Sequence, residues 1–146
     1  MDWLIKEIIG AMRNRSQIEN LVGRDNTGNS DVQVYHDEAP PIEKLTTETY
    51  VILYTHIGGA EPEGEFGTRT VEDAWNVQFS IFAATRSEVM SIYKAIKKLW
   101  DEVGLKDDVE HLYMKMQRMS PLRGPEKQDS RLFMGTVDYR IHAQTS

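Results

Sequence analysis

The sequence predicts an α+β fold, in which a mainly antiparallel four- to five-stranded sheet carries an N-terminal helix and one long helix on one face. An amphipathic helix opens the chain, runs of alternating apolar and polar residues follow, and a long helical stripe lies between them. The 146 residues are predicted to form a single domain, 1–146. A chain of this length buries roughly two-thirds of its unfolded surface, which suffices for a core without disulfides.

The N-terminal segment is predicted to form two consecutive helices. In the first helix the apolar residues recur every three or four positions: Leu4, Ile5, Ile8 and Met12. Ser16 and Glu19 have the spacing of a capping box, which predicts the start of a short second helix. Gly23 is a natural C-terminal stop for that helix.

Five segments have the residue pattern of strands: 32–36, 50–55, 75–83, 112–117 and 133–142. The alternation is clearest over 75–83, where one face is apolar and the other mostly polar. The nearly continuous apolar run at 50–55 predicts a central strand. Gly135 lies on the apolar face of the last segment and is predicted to mark a bulge.

A long helix is predicted over about 86–103. Thr85 and Glu88 form a second potential capping box at its start. Its apolar residues are spaced by one, three or four positions and form one core-facing stripe: Val89, Ile92, Tyr93, Ile96, Leu99, Trp100 and Val103. Burying such side chains stabilises a fold by roughly 1.5–3 kcal/mol each, so the stripe is expected to lie on the sheet.

Three polar segments are predicted to be loops: 24–31, 56–70 and 120–130. The second is predicted to be a long loop or a projecting hairpin arm, because it holds four glycines, a proline and three glutamates. Its glutamates are Glu61, Glu63 and Glu65, and Phe66 is its only aromatic residue. Loops of this length in a compact domain are usually functional or disordered.

No motif in the chain predicts catalysis, a cofactor or a metal. Adjacent residues point to different sides, so the run 36–38 (His-Asp-Glu) is interpreted as a polar strand end, and the acidic run 107–111 as a solvated turn. The glycine-rich segment lacks the Gly-Lys-Ser/Thr ending of a phosphate loop. No Gly-x-Ser-x-Gly elbow occurs, and no carboxylate pair stands out as an acid–base couple. The protein is therefore predicted not to be an enzyme.

The composition limits which classes of partner and which compartment fit the protein. The net charge of −6 disfavours bulk attraction to nucleic acid or acidic membranes. The densest basic cluster, Lys94, Lys97 and Lys98, is interpreted as a solvated helix face. The absence of cysteine fits a reducing compartment. No apolar run reaches the ~20 residues that span a bilayer, and the first seven residues do not have the pattern of a signal peptide.

The whole pattern resembles the tail completion (tail terminator, head–tail joining) proteins of long-tailed bacteriophages. The resemblance is carried by the N-terminal helix with its short second helix, the strand at 50–54 after the proline step 39–41, the 77–85 strand that leads into the long helix, and the closing strand at 137–141. It covers nearly the whole chain. The segments 56–70 and 120–130 depart from the family pattern.

The resemblance implies a structural virion protein, made in the host cytoplasm and located at the tail–neck junction. Such proteins form rings, commonly hexamers, at the head-proximal end of the tail tube, end its growth and join it to the neck or connector proteins. DNA passes through the ring without sequence-specific binding. Two alternatives stay open: another head–tail connector, such as a head-completion or stopper protein, and a small α+β enzyme or ligand-binding module.

Seven residues are candidates for contacts with neighbouring subunits or partners, and six of them are charged. Glu61, Glu63 and Glu65, with Phe66, are expected either to line the channel or rim or to dock on a neighbouring copy; a solvated loop is the alternative. Three arginines are candidates to pair with acids of a neighbouring subunit: Arg118, Arg123 and Arg131.

Overall fold

The structure, a computed structural model, describes residues 2–55, 61–63, 71–102, 113–128 and 132–145. Its helices are α1 (Asp2–Arg13), α2 (Ser16–Val22) and α3 (Arg86–Glu102), with a 3-10 turn at Ile42–Lys44. Its strands are β1 (Val34–His36), β2 (Tyr50–Thr55), β3 (Glu61–Glu63), β4 (Val71–Ala83), β5 (Tyr113–Arg118), β6 (Arg123–Gln128) and β7 (Leu132–Thr145). None of the described helices is long and apolar enough to cross a bilayer.

The strands form one sheet in the order β1-β2-β4-β7-β5, with β3 beside β4 and β6 beside β7. β1 runs parallel to β2, and the other pairings are antiparallel. The predicted α+β class with a mainly antiparallel sheet is therefore confirmed. The apolar strand β2 lies inside the sheet, between β1 and β4.

The two longest strands, β4 and β7, form the backbone of the sheet. Their register is regular from Val71 opposite Thr145 to Ala83 opposite Phe133. β2 and β3 pair with successive parts of β4, and β6 and β5 pair with successive parts of β7. Alternate residues of this pair enter the core, where the rings of Phe79 and Tyr139 meet edge to face with centroids 5.5 Å apart.

Helix α3 packs on the core face of this strand pair. The stripe residues Val89, Ile92, Ile96 and Trp100 are buried, Leu99 is nearly so, and Tyr93 packs partly buried against them. Val103 lies outside the described residues. α1 and α2 add their own apolar side chains to the same cluster: Ile5, Ile8, Ile9, Met12, Ile18 and Val22. The three described helices thus share one face of the sheet.

At the start of α3, only one of the two hydrogen bonds of the predicted capping box forms. The Glu88 backbone N–H donates to Thr85 Oγ1 at 3.2 Å, as expected for an N-cap. The Glu88 carboxylate does not return to the cap; it accepts a hydrogen bond from the Thr49 hydroxyl at 2.9 Å. The helix start is therefore tied to the residue that precedes β2.

The predicted capping box of α2 is wrong. Arg15 occupies the N-cap position with no side-chain hydrogen bond to the helix, and Ser16 is already the first helical residue. Glu19 is occupied elsewhere, because its carboxylate accepts from Arg24 Nε at 2.6 Å. The predicted stop at Gly23 is correct: its φ is +74°, and its N–H donates to Glu19 O at 2.7 Å.

The polar segment 120–130, predicted to be a loop, contains strand β6. A strand that pairs through its backbone at the side of a sheet needs no apolar alternation, so the pattern did not reveal it. The bulge predicted at Gly135 lies in the facing strand: the register of β6 shifts between Arg123 and Glu126, while Gly135 pairs regularly with Ile81.

Gly135 is required by the packing of α3. A Cβ at this position would lie 2.8 Å from Val89 Cγ1 and 3.0 Å from Leu122 Cδ1. A β-branched valine has few rotamers with which to move away. The absence of a side chain at Gly135 therefore lets the first turn of α3 approach the sheet.

We predict that Gly135→Ala destabilises the protein by about 1–3 kcal/mol, because the added methyl overpacks the contact between α3 and the sheet. Chemical denaturation at neutral pH measures this. Gly10→Ala is the matched control, because a Cβ at Gly10 in α1 meets no atom within 4 Å. Alanine favours helix over glycine, so Gly10→Ala should stabilise by about 0.5–1 kcal/mol. Equal effects of the two substitutions would refute this account of Gly135.

Candidate functional site

The segment before β1 is organised around a buried carboxylate that the sequence pattern did not single out. Asp25 is only 4 % exposed. Its Oδ1 accepts from Thr27 Oγ1 at 2.7 Å and from the N–H groups of Thr27 and Asp31 at 3.2 and 3.1 Å. Its Oδ2 accepts from the Tyr35 hydroxyl at 2.7 Å. One side chain therefore fixes the loop to strand β1.

The pKa values in this cluster follow from burial and hydrogen bonding. Burial opposes ionisation of Asp25, but the hydrogen bonds from Thr27, Tyr35 and Asp31 together outweigh it and lower the pKa of that carboxyl. Burial raises the pKa of the Tyr35 phenol, and its hydrogen bond to the ionised Asp25 raises it further. At neutral pH the Tyr35 hydroxyl is therefore the donor and the ionised Asp25 the acceptor, as a structural pair requires.

Arg13 closes one edge of the sheet. Its guanidinium donates from Nε and Nη2 to the Val34 carbonyl at 3.0 and 2.8 Å, and it lies 5.8 Å from the Tyr35 ring centroid. The Val34 N–H bonds to Val32 O at 2.7 Å, and the His36 carbonyl accepts from Glu38 N at 2.8 Å. These groups would otherwise face an added strand, so β1 is protected against edge pairing.

Gln33 is a second buried polar centre next to this edge. Its side-chain amide donates to Val22 O at 2.9 Å and to Thr49 O and Thr47 Oγ1, both at 2.8 Å. Its carbonyl accepts from Thr46 N at 2.9 Å. Both sides of the chain are buried here, since Gln33 is as buried as its neighbours Val32 and Val34. The amide joins the end of α2 to the segment before β2.

The sheet face opposite the helices is aromatic at one end and charged at the other. Tyr50 on β2 stacks on Phe82 on β4, with ring centroids 4.7 Å apart and planes 15° apart. In the middle, Ile52 and Ser80 are buried although none of the described helices covers them. At the other end, Asp138 accepts a hydrogen bond from Gln78 Nε2 at 3.2 Å. Among the described residues of this face, no set of catalytic groups converges.

Two of the arginines predicted to contact a neighbouring subunit have partners within the chain. Arg118 Nε donates to Asp101 Oδ2 at 3.0 Å, and the same carboxylate accepts from the Tyr139 hydroxyl at 3.0 Å. The hydrogen bond to Asp101 raises the pKa of Arg118. Arg123 Nη2 donates to Asp138 Oδ2 at 2.8 Å. Their predicted role toward a neighbour stays a prediction.

The other predicted contact residues lie either in strand β3 or outside the described residues. Glu61 and Glu63 lie in β3, whose register places Glu63 opposite Glu72 of β4. Glu65, Phe66 and Arg131 lie outside the described residues, as does the acidic run 107–111. In the part of the chain that the structure describes, no three His, Asp or Glu side chains are grouped to hold a metal ion.

Comparison with known proteins yields a likeness of fold. No known protein family matches the sequence, and no characterised protein matches it in sequence. The structure is similar to a chain of the virion of a native gene transfer agent (GTA) particle, with a TM-score of 0.63 and 14 % sequence identity. The match covers 92 % of this chain and 90 % of that chain. The two chains therefore share the fold over almost their whole length.

We predict that Asp25→Asn destabilises the protein by about 1–3 kcal/mol at neutral pH, because an amide cannot accept from all the donors that converge on it. The folded pKa of Asp25 lies below its ordinary value of 3.8, so its ionisation stabilises the fold above that pH. The difference from wild type should shrink as pH falls through the folded value. Denaturation between pH 7 and pH 2 measures it. Asp37→Asn, at an exposed acid, is the control and should change stability little. If the loss of stability in Asp25→Asn is independent of pH, the prediction is contradicted.

We predict that Arg13→Met lowers stability by about 1.5–3 kcal/mol and promotes self-association, because the Val34 carbonyl then faces solvent at an open strand edge. Urea denaturation reports the first effect and sedimentation velocity the second. Lys6→Met removes the same charge from an exposed position of the same helix and should leave both unchanged. An Arg13→Met variant that keeps wild-type stability and forms no species larger than those of the wild-type protein would show that the guanidinium does not close this edge.

Proposed function

We propose that this chain is a structural virion protein that forms a ring at the head-proximal end of a phage-type tail tube, ends growth of the tube and joins the tail to the neck. The supporting observation is the shared fold with a chain of the GTA virion over nine-tenths of both chains. The sequence resemblance to tail completion proteins points in the same direction.

The surfaces of the fold suit a subunit that meets different neighbours on different sides. A ring of identical copies uses heterologous contacts, in which one patch meets a different patch of the next copy. Here one sheet face carries the helices, the other is bare of described helices, and Arg13 closes the β1 edge. Contacts between copies therefore fall on side-chain surfaces or on the β5–β6 side of the sheet.

The charge of the chain suits a channel through which DNA moves. At −6 it lacks the basic surplus that grips phosphates, and an acidic lining repels the DNA backbone. We propose that Glu61, Glu63 and Glu65 contribute to this lining or rim. The strand register supports this for two of them. Glu61 and Glu63 both lie in β3, which pairs with the acidic start of β4.

A connector elsewhere in the neck is the second candidate. The GTA structure is described as a whole virion, so the shared fold fits a head-completion or stopper protein as well as a tail terminator. A terminator binds the open end of a tail tube, so binding to tube ends separates the two functions.

We expect the purified protein to form closed rings and to limit tube growth. Native mass spectrometry and negative-stain images should show a single ring stoichiometry at micromolar concentration. When the tail-tube protein encoded by the same genome polymerises with this protein present, tubes should stop growing and carry one ring at one end. Tubes polymerised without it are the control. A protein that stays monomeric and leaves tube length unchanged would rule out the terminator function.

A further inference from the structure

A groove between α2 and α3 combines an apolar floor with a basic rim. It has a volume of about 430 Å³, and Leu21 of α2 and Ala95 of α3 provide its apolar surface. Lys94 and Lys98 line it from α3, one helical turn apart, and both are exposed. No acidic side chain lines the groove. Among the described residues, neither lysine has an ion-pair partner.

The acidic turn, residues 37–48, is the opposite kind of surface. It carries one lysine, Lys44, and four acids, all exposed: Asp37, Glu38, Glu43 and Glu48. At its tip Ile42 is 76 % exposed, the most exposed of the large apolar side chains that the structure describes. The groove is therefore basic with an apolar floor, and the turn is acidic with an apolar tip.

The exposed isoleucine is held on a fixed turn. Lys44 N bonds to Pro41 O at 2.8 Å and Leu45 N to Ile42 O at 3.2 Å, which closes the 3-10 turn. Asn26 N bonds to Lys44 O at 2.8 Å and ties the turn to the segment before β1 that contains Asp25. A single exposed apolar residue is ordinary on a protein surface. A backbone turn that is already fixed loses little conformational entropy when the side chain that it carries docks, which favours a binding role.

We infer that the acidic turn of one copy docks in the groove between α2 and α3 of the next copy. Ile42 covers the apolar floor formed by Leu21 and Ala95, and Glu43 lies against the lysine rim. The inference rests on the proposed function, because a ring brings successive copies together in one orientation. The two surfaces share no residue, as a heterologous contact requires. The opposite charges select this pairing over groove-to-groove or turn-to-turn contacts.

Lys97 provides an internal comparison. It is exposed on the same helix, between the two rim lysines in sequence, but it does not line the groove. Reversing its charge changes the net charge of the protein and the charge of α3 by the same amount as reversing Lys94. Only a contact made through the groove distinguishes the two positions.

The test measures the protein concentration at half-assembly of rings by mass photometry, alongside the melting temperature of each variant. Lys94→Glu and Glu43→Lys should each raise the half-assembly concentration by at least about tenfold, because each places like charges together. The double variant Lys94→Glu/Glu43→Lys re-forms the pair with reversed polarity and should regain most of the loss. Lys97→Glu should stay within about twofold of wild type.

Ile42→Ser tests the apolar part of the contact. Ile42 is exposed in the subunit, so the substitution should leave the melting temperature unchanged while it raises the half-assembly concentration by at least about tenfold. Ile42→Val keeps an apolar side chain and should assemble nearly as wild type does. Such a result separates loss of docking from loss of folding.

The outcomes separate the inference from the function on which it rests. If wild type forms rings and Lys94→Glu, Glu43→Lys and Ile42→Ser assemble as wild type does, the contact is wrong and the ring stands. If wild type forms no ring, the proposed function fails first, and this contact fails with it. If Lys94→Glu blocks attachment to tail tubes but not ring formation, the groove binds another virion protein, which overturns the contact between copies.

Discussion

The packing of α3 against the β4–β7 pair is the constraint on which the other parts of the structure depend. Four large side chains of the stripe are buried on this surface, and each contributes roughly 1.5–3 kcal/mol relative to exposure: Val89, Ile92, Ile96 and Trp100. Polar contacts fix both ends of the helix. Glu88 accepts from Thr49 near its start, and Asp101 accepts from Arg118 and Tyr139 near its end. Gly135 then sets how closely the helix can approach. A helix fixed at three places holds the strands beneath it in one register, and the outer surface of α3 becomes a rigid platform.

Much of the fold could be predicted from the sequence because its main elements are strongly periodic. The spacing along α3 and the alternation along β4 and β7 report which side chains face the core, and a residue pattern carries that information locally. β6 was missed because its pairing is carried by backbone groups, which leave no mark on polarity. Ser16 and Glu19 had the right spacing for a cap, but Arg24, five residues beyond Glu19, competes for its carboxylate. Spacing alone does not reveal such a competitor.

The contacts of the buried polar residues could not be predicted from the sequence for a related reason. Asp25 is bound by Tyr35, ten residues away, and Arg13 bonds to a carbonyl twenty-one residues away. Each such contact depends on the path of the chain between the partners, so no local pattern marks it. A carboxylate in a polar loop looks like a solvated residue until the loop is seen to close around it. The surfaces of the proposed assembly are harder still to predict, since exposed residues are under no packing constraint that would give them a periodic pattern.

Several arginines and lysines of this protein differ in whether they have partners within the chain, and the difference bears on the proposed contact between copies. Arg13, Arg118 and Arg123 each donate to a carbonyl or carboxylate of their own chain, where a planar guanidinium suits a fixed geometry. An arginine that already holds its own fold must exchange one partner for another to bind a neighbour, so its net gain is small. Lys94 and Lys98 have no such partner among the described residues, and no internal bond has to break before they meet an acid. For the proposed ring, contacts through the lysines of α3 therefore require the least rearrangement within the subunit, although the arginines are the more obvious choice from sequence.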